Sequence, residues 1–156
     1  MDSVWSFEFS VDCSVSADFA WRYWTNVKNW ALDLDVESVT LNGPFESGSR
    51  GVTISKSAGA IEWRIADVQP GRAVIEFPAP GALATFIWTF VDSDGGAKIT
   101  HRADLSGPDA TRYLDFAKAL ETGIPAGMHT LCEAMHDSAQ GKDQRDGTAL
   151  EANKVG

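Results

Sequence analysis

Cysteine is scarce in this chain of 156 residues: there are two, Cys13 and Cys132. Two are too few for a disulfide framework, and so wide a separation does not make a redox pair. They read as reduced, buried thiols, which points to the cytoplasm. Basic residues are short as well, with 13 Lys and Arg against 22 Asp and Glu, for a net charge of −9. No Lys/Arg cluster interrupts that acidic balance, which repels phosphates and disfavours nucleic acid and anionic membranes as partners. Nowhere do 18 apolar residues run together, so no membrane-spanning helix is expected. The opening "MDSVWSFEFSVD" lacks the charged start and apolar core of a secretion signal. Nucleophile elbow, P-loop, dinucleotide fingerprint and zinc-ligand spacing are all missing, and "GSRG" fails the elbow's spacing. No cofactor or metal is implied.

What the chain does have is apolar and aromatic material, 44% hydrophobic with six tryptophans and eight phenylalanines. That supplies the core of a single domain, which at this length buries about 70% of the unfolded surface. "VWSFEFSVD" (4–12) alternates Trp5, Phe7, Phe9 and Val11 with polar residues, the mark of a half-buried strand. Ser16 then offers an N-cap for a short helix over Ala17–Thr25, with Asp18 in its first turn. A second short helix is predicted through "VKNWALD". From Val36 the period becomes two, giving strands near 36–42, 48–56, 60–69, 72–78, 83–92 and 97–106. Turn-forming stretches such as "NGPFESG", "QPGR" and "DSDGG" separate them, so consecutive strands are antiparallel. "GPDATRYLDFAKALETG" suggests a covering segment. A closing helix follows near 125–140, with Pro125 in its first turn and Met128, Leu131, Cys132 and Met135 on one stripe. Residues 141–156 have balanced charge and no periodicity, and are expected to form a disordered tail after a domain of 1–140.

The stretches "SVSADFAWRYWTNVKNWALDLDVESVTL", "GSRGVTIS", "IEWRIADVQPGRAVIEF" and "FIWTFVDSDGGAKITHRADLSGP", with the closing helix, resemble the START-like (SRPBCC) superfamily. The polyketide cyclase/dehydrase-like branch is the nearest match, over roughly residues 3–140. The resemblance implies an α+β helix-grip fold, in which a curved seven-stranded antiparallel sheet wraps a long C-terminal helix. It also implies an elongated cavity between sheet and helix for an apolar or aromatic molecule.

Alternation assigns the inward side chains: Arg50, Val52 and Ile54; Ile61, Trp63 and Ile65; Ala73, Ile75 and Phe77; Phe86, Trp88 and Phe90; Ile99, His101, Ala103 and Leu105. His101 is the misfit, a titratable imidazole on an apolar face. It is either a core histidine satisfied by a neighbour, an anchor for a ligand, or a proton shuttle. The inward rings either fill the space under the helix as core or, given the cavity that the resemblance implies, form a ligand site of Arg50, Trp63, Phe77, Phe86, Trp88, His101 and Met128, apolar rings with a few polar groups among them. Arg50 sits at a strand start, where its side chain can instead reach water. Asp33, Asp35 and Glu37 read as a solvated edge, and His129 and His136 as surface residues opposite the helix's apolar stripe.

Three functions compete. A carrier or sensor of a small hydrophobic or aromatic molecule needs only the cavity. A cyclase/aromatase or dehydratase needs His101 as its catalytic acid–base group, with a matched pKa and a second group besides. A protein-interaction module, a homodimer included, needs an exposed apolar patch.

Overall fold

The computed structural model describes residues 2–31 and 36–141. The expectations for Asp33, Asp35 and the tail beyond Gly141 lie outside those residues. Strand β1 (Ser3–Cys13) leads into helix α1 (Ala17–Trp24), a 3-10 turn (Val27–Trp30) and six further strands. These are β2 (Val36–Asn42), β3 (Arg50–Ser55), β4 (Gly59–Gln69), β5 (Arg72–Ala79), β6 (Ala82–Ser93) and β7 (Gly96–Ser106). A second 3-10 turn (Ala110–Tyr113) opens helix α2 (Leu114–Ala139). The sheet runs β1-β7-β6-β5-β4-β3-β2 with every pair antiparallel. It is a meander whose far edge is completed by β1, and α2 packs mainly along that edge.

Local chemistry accounts for the boundaries. The Ser16 hydroxyl accepts the Phe19 amide at 3.1 Å and caps α1, satisfying one of the amides a helix start leaves free. The inward faces of β1 and β4 to β7 follow the predicted alternation: Phe9 pairs with His101, His101 with Trp88, Trp88 with Ala73, and Ile65 with Ile75.

Three expectations are corrected. The inward face of β3 is Gly51, Thr53 and Ser55, not Arg50, Val52 and Ile54. Gly51 lies opposite Trp63, and a Cβ at Gly51 would overlap the indole ring. Thr53 Oγ1 accepts the Trp63 Nε1–H at 3.1 Å. A large ring that needs a bare backbone beneath it and a hydroxyl beside it thus overrides apolar alternation on its neighbour. Gly51→Ala is therefore expected to cost of the order of 2 kcal/mol in urea unfolding, through overpacking. Unchanged stability would mean that the Trp63 ring can slide aside.

Second, α2 is one helix of 26 residues, and Pro125 lies inside it instead of in its first turn. The covering segment and the closing helix are continuous, because Leu120, Ile124, Met128 and Leu131 form one apolar stripe across the proline. Burial of that stripe outweighs the hydrogen bond that proline removes.

Third, Cys13 and Cys132 are not free thiols but a disulfide, with their Cα atoms 5.4 Å apart. Separation in sequence concealed proximity in space. The last residue of β1 lies under the C-terminal half of α2, where Ser14 and His136 also meet at 2.8 Å. The expectation of a cytoplasmic location loses the reduced thiols it rested on.

Candidate functional site

Between the concave face of the sheet and α2 lies a cavity of about 410 Å³. Its walls come from four directions. Strands β5 to β7 supply Ile75, Phe77, Phe86, Trp88 and His101. Helix α1 and the turn after it supply Trp24, Asn29 and Trp30, and α2 supplies Leu120, Gly123, Ile124, Gly127, Met128 and Leu131. Glycine in a helix interior costs about 1 kcal/mol relative to alanine. Gly123 and Gly127 stand one turn apart on α2, and a Cβ at either would meet nothing within 4 Å. The two glycines keep this wall flat.

The aromatic walls are tied together. Trp24 packs on Trp88 at 5.0 Å between centroids and on Trp30 at 5.2 Å. The Trp30 indole N–H donates to the Trp24 carbonyl at 2.6 Å, and the Asn29 side-chain amide to the Tyr23 carbonyl at 2.8 Å. These two bonds hold the turn against α1, so the tryptophan wall is set by backbone as well as by packing.

His101 is the polar exception in that wall. Its ring stacks on Trp88 at 3.9 Å with an interplanar angle of 23° and lies 5.4 Å from the Phe86 ring. The residue is 8% exposed, and its Nε2 has no hydrogen-bond partner among the described residues. Burial disfavours the imidazolium and lowers the pKa from 6.5 to about 3, so the ring is neutral at pH 7. Among the described residues, no Asp, Glu, Lys or Arg lines the cavity. Neutral, shape-selective recognition is what such a lining can do.

Five of the residues predicted from the sequence meet here: Phe77, Phe86, Trp88, His101 and Met128. Two do not. Trp63 is 2% exposed and packs behind Trp30 at 4.9 Å, with its indole N–H already bonded to Thr53. Arg50 pairs with Arg64, whose guanidinium bonds Glu76 at 2.7 Å on the outer face. Arg50 borders a smaller outer pocket of about 170 Å³ with Thr40, Asn42, Glu62 and Arg64, on the side of the sheet away from α2. The sequence reading missed Trp24, Asn29 and Trp30. Their surplus of aromatic residues beyond one helical stripe was the available signal. His129 and His136 are exposed, as expected, with His129 edge-on to Phe9 at 5.8 Å.

No protein-family model and no curated protein matches the sequence. Solved structures do match in shape. The ZhuI aromatase/cyclase from a Streptomyces species superposes with a TM-score of 0.71 at 14% identity, covering 86% of this chain and 95% of that one. A Nitrosomonas europaea protein from structural genomics gives 0.72 at 14% identity, over 90% and 99%. Norcoclaurine synthase from Thalictrum flavum, solved with dopamine and hydroxybenzaldehyde, gives 0.63 at 11% identity, over 83% and 84%. At such identities the likeness establishes architecture alone: this chain has the helix-grip fold that its sequence resemblance implied.

Proposed function

We propose that the protein binds a small, neutral, hydrophobic or aromatic molecule in the cavity under α2, as a carrier or sensor. The observation that carries this reading is His101: among the described residues, a buried imidazole with an unpartnered nitrogen in a ring-lined cavity whose lining includes no charged side chain. An unpaired buried polar atom costs about 1–3 kcal/mol, which a hydroxyl or carbonyl of a ligand would recover. Flat rings suit the wall, since stacking on Trp24, Trp88 and Phe86 rewards planar molecules. The similarity in fold to a synthase solved with two small aromatic molecules supports an aromatic ligand.

Cyclase or dehydratase chemistry is less well served. A general acid–base group works best with a pKa near the operating pH, and burial holds that of His101 at about 3. Asn29, which also lines the cavity, donates one side-chain N–H to the Tyr23 carbonyl, and a carboxamide neither gains nor loses a proton near neutral pH.

The test is a titration with 2-naphthol at pH 7, followed by tryptophan fluorescence. Saturable quenching is expected, with its amplitude reduced in Trp88→Phe. The anion 2-naphthoate should bind at least ten-fold more weakly, because the lining offers it no cation. His101→Gln should keep most of the affinity and His101→Leu should lose it. Absence of saturable binding by planar neutral compounds would mean that the cavity takes no such ligand. Equal binding of naphthol and naphthoate would remove the electrostatic argument.

A further inference from the structure

Along the concave face of β6 the inward side chains shrink abruptly. Phe90, Trp88 and Phe86 give way to Ala84 and Ala82, while the partner of Ala82 on β5 is Ala79. Space opens where the rings stop, a second apolar chamber of about 420 Å³ under the start of α2. Phe116 borders it from α2 and is 58% exposed, the largest of the strongly exposed apolar side chains among the described residues.

This outer chamber is framed by fixed backbone. The Tyr113 hydroxyl donates to the Pro80 carbonyl at 2.9 Å, and the Asp109 amide to the Gly81 carbonyl at 2.8 Å. Both bonds tie the segment that opens α2 to the β5–β6 turn. The two chambers share a wall, because Phe77 and Phe86 line both. Those two rings meet edge to face at 5.3 Å, and both are only half-buried. They form a partition with open space on either side.

We infer that the outer chamber is a subsite for an apolar arm of the same molecule whose neutral ring occupies the inner chamber, the connecting chain crossing at Phe77 and Phe86. The inference rests on the binding function proposed above and narrows its ligand to a two-part molecule: a flat head with one hydrogen-bonding group, and an alkyl or aryl extension. Continuity through the shared rings selects this occupant. The outer lining has no lysine, arginine or carboxylate to address a charged partner, and an arm that leaves the inner chamber past Phe86 enters this space directly.

The experiment compares 2-naphthol with 6-hexyl-2-naphthol on the full chain, on Ala84→Leu, which fills the outer chamber, and on Phe116→Ser, a surface change that leaves the core alone. In the wild type the hexyl arm is expected to tighten binding at least ten-fold. In both variants 2-naphthol should bind as before, while the advantage of the arm falls below three-fold. If 2-naphthol binds but the arm brings no advantage, or keeps it in both variants, the outer subsite is refuted and the inner site stands. If neither compound binds, both readings fail. If only the hexyl compound binds, the head site fails and the two-part ligand with it.

Discussion

Reducing the Cys13–Cys132 disulfide should lower the melting temperature of the protein by roughly 4–20 °C, taking about 2–5 kcal/mol for a native disulfide and about 2–4 °C per kcal/mol for a domain of this size. The bond joins residues separated by 119 positions, so it closes nearly the whole described chain into a loop. In the chain-entropy account a loop of this length is worth close to 5 kcal/mol, and native disulfides contribute about 2–5 kcal/mol. Its position adds to its effect. Helix α2 meets β1 and the residue after it through Trp5 Nε1–H on Glu121 at 2.9 Å, the His129 edge on Phe9, and Ser14 on His136, and the disulfide is the covalent member of that row. Thermal unfolding of the wild type with and without dithiothreitol, beside the double substitution of Cys13 and Cys132 by alanine, measures it. The reduced wild type and the double variant should melt close together, both well below the oxidised protein. A melting temperature indifferent to reductant would show that the two thiols are not joined. Because Leu131 and Met128 line the cavity on the same helix, reduction should also weaken naphthol binding.

The meander was legible because each strand from β4 to β7 buries one face and turns at a glycine. Gly71 and Gly95 hold positive φ of 76° and 78° at the predicted breaks, a conformation that costs glycine little. What alternation could not show was any face decided by a partner. On β3, Val52 and Ile54 look like the buried set, yet Trp63 across the ladder needs Gly51 and Thr53 beneath it, and this places Arg50 outside. Pro125 reads locally as a helix start, and only the stripe on both sides of it reveals one long helix. The cavity itself was half legible. His101 and its strand neighbours could be placed by parity, whereas Asn29 and Trp30 enter through the fold of a turn that has no period to read, and Trp24 ends a helix with more aromatic residues than one stripe can hold.

His101→Leu should flatten the acid side of the stability profile. In the folded protein burial holds the imidazole pKa at about 3, and unfolding returns it to the ordinary 6.5. Above pH 6.5 the ring is neutral in both states, and its full contribution to stability is present. As the pH falls below 6.5 the unfolded chain takes up a proton that the folded chain refuses, so stability is lost progressively until the folded pKa is reached. The loss attributable to this one group is about 2 kcal/mol at pH 5 and roughly 3 kcal/mol at pH 4. Leucine and glutamine have no proton to gain. Both variants should therefore lose less stability than the wild type between pH 7 and pH 5, by about 2 kcal/mol, whatever their stability at pH 7. Carboxylates elsewhere titrate alike in all three proteins and cancel from the difference. Urea unfolding at the two pH values gives the comparison, and the imidazole NMR signals of the folded wild type should show no protonation of His101 above pH 4. A titration midpoint near 6.5 would place the ring in contact with solvent, restore it as a general acid–base candidate, and remove the main argument for a carrier over a cyclase.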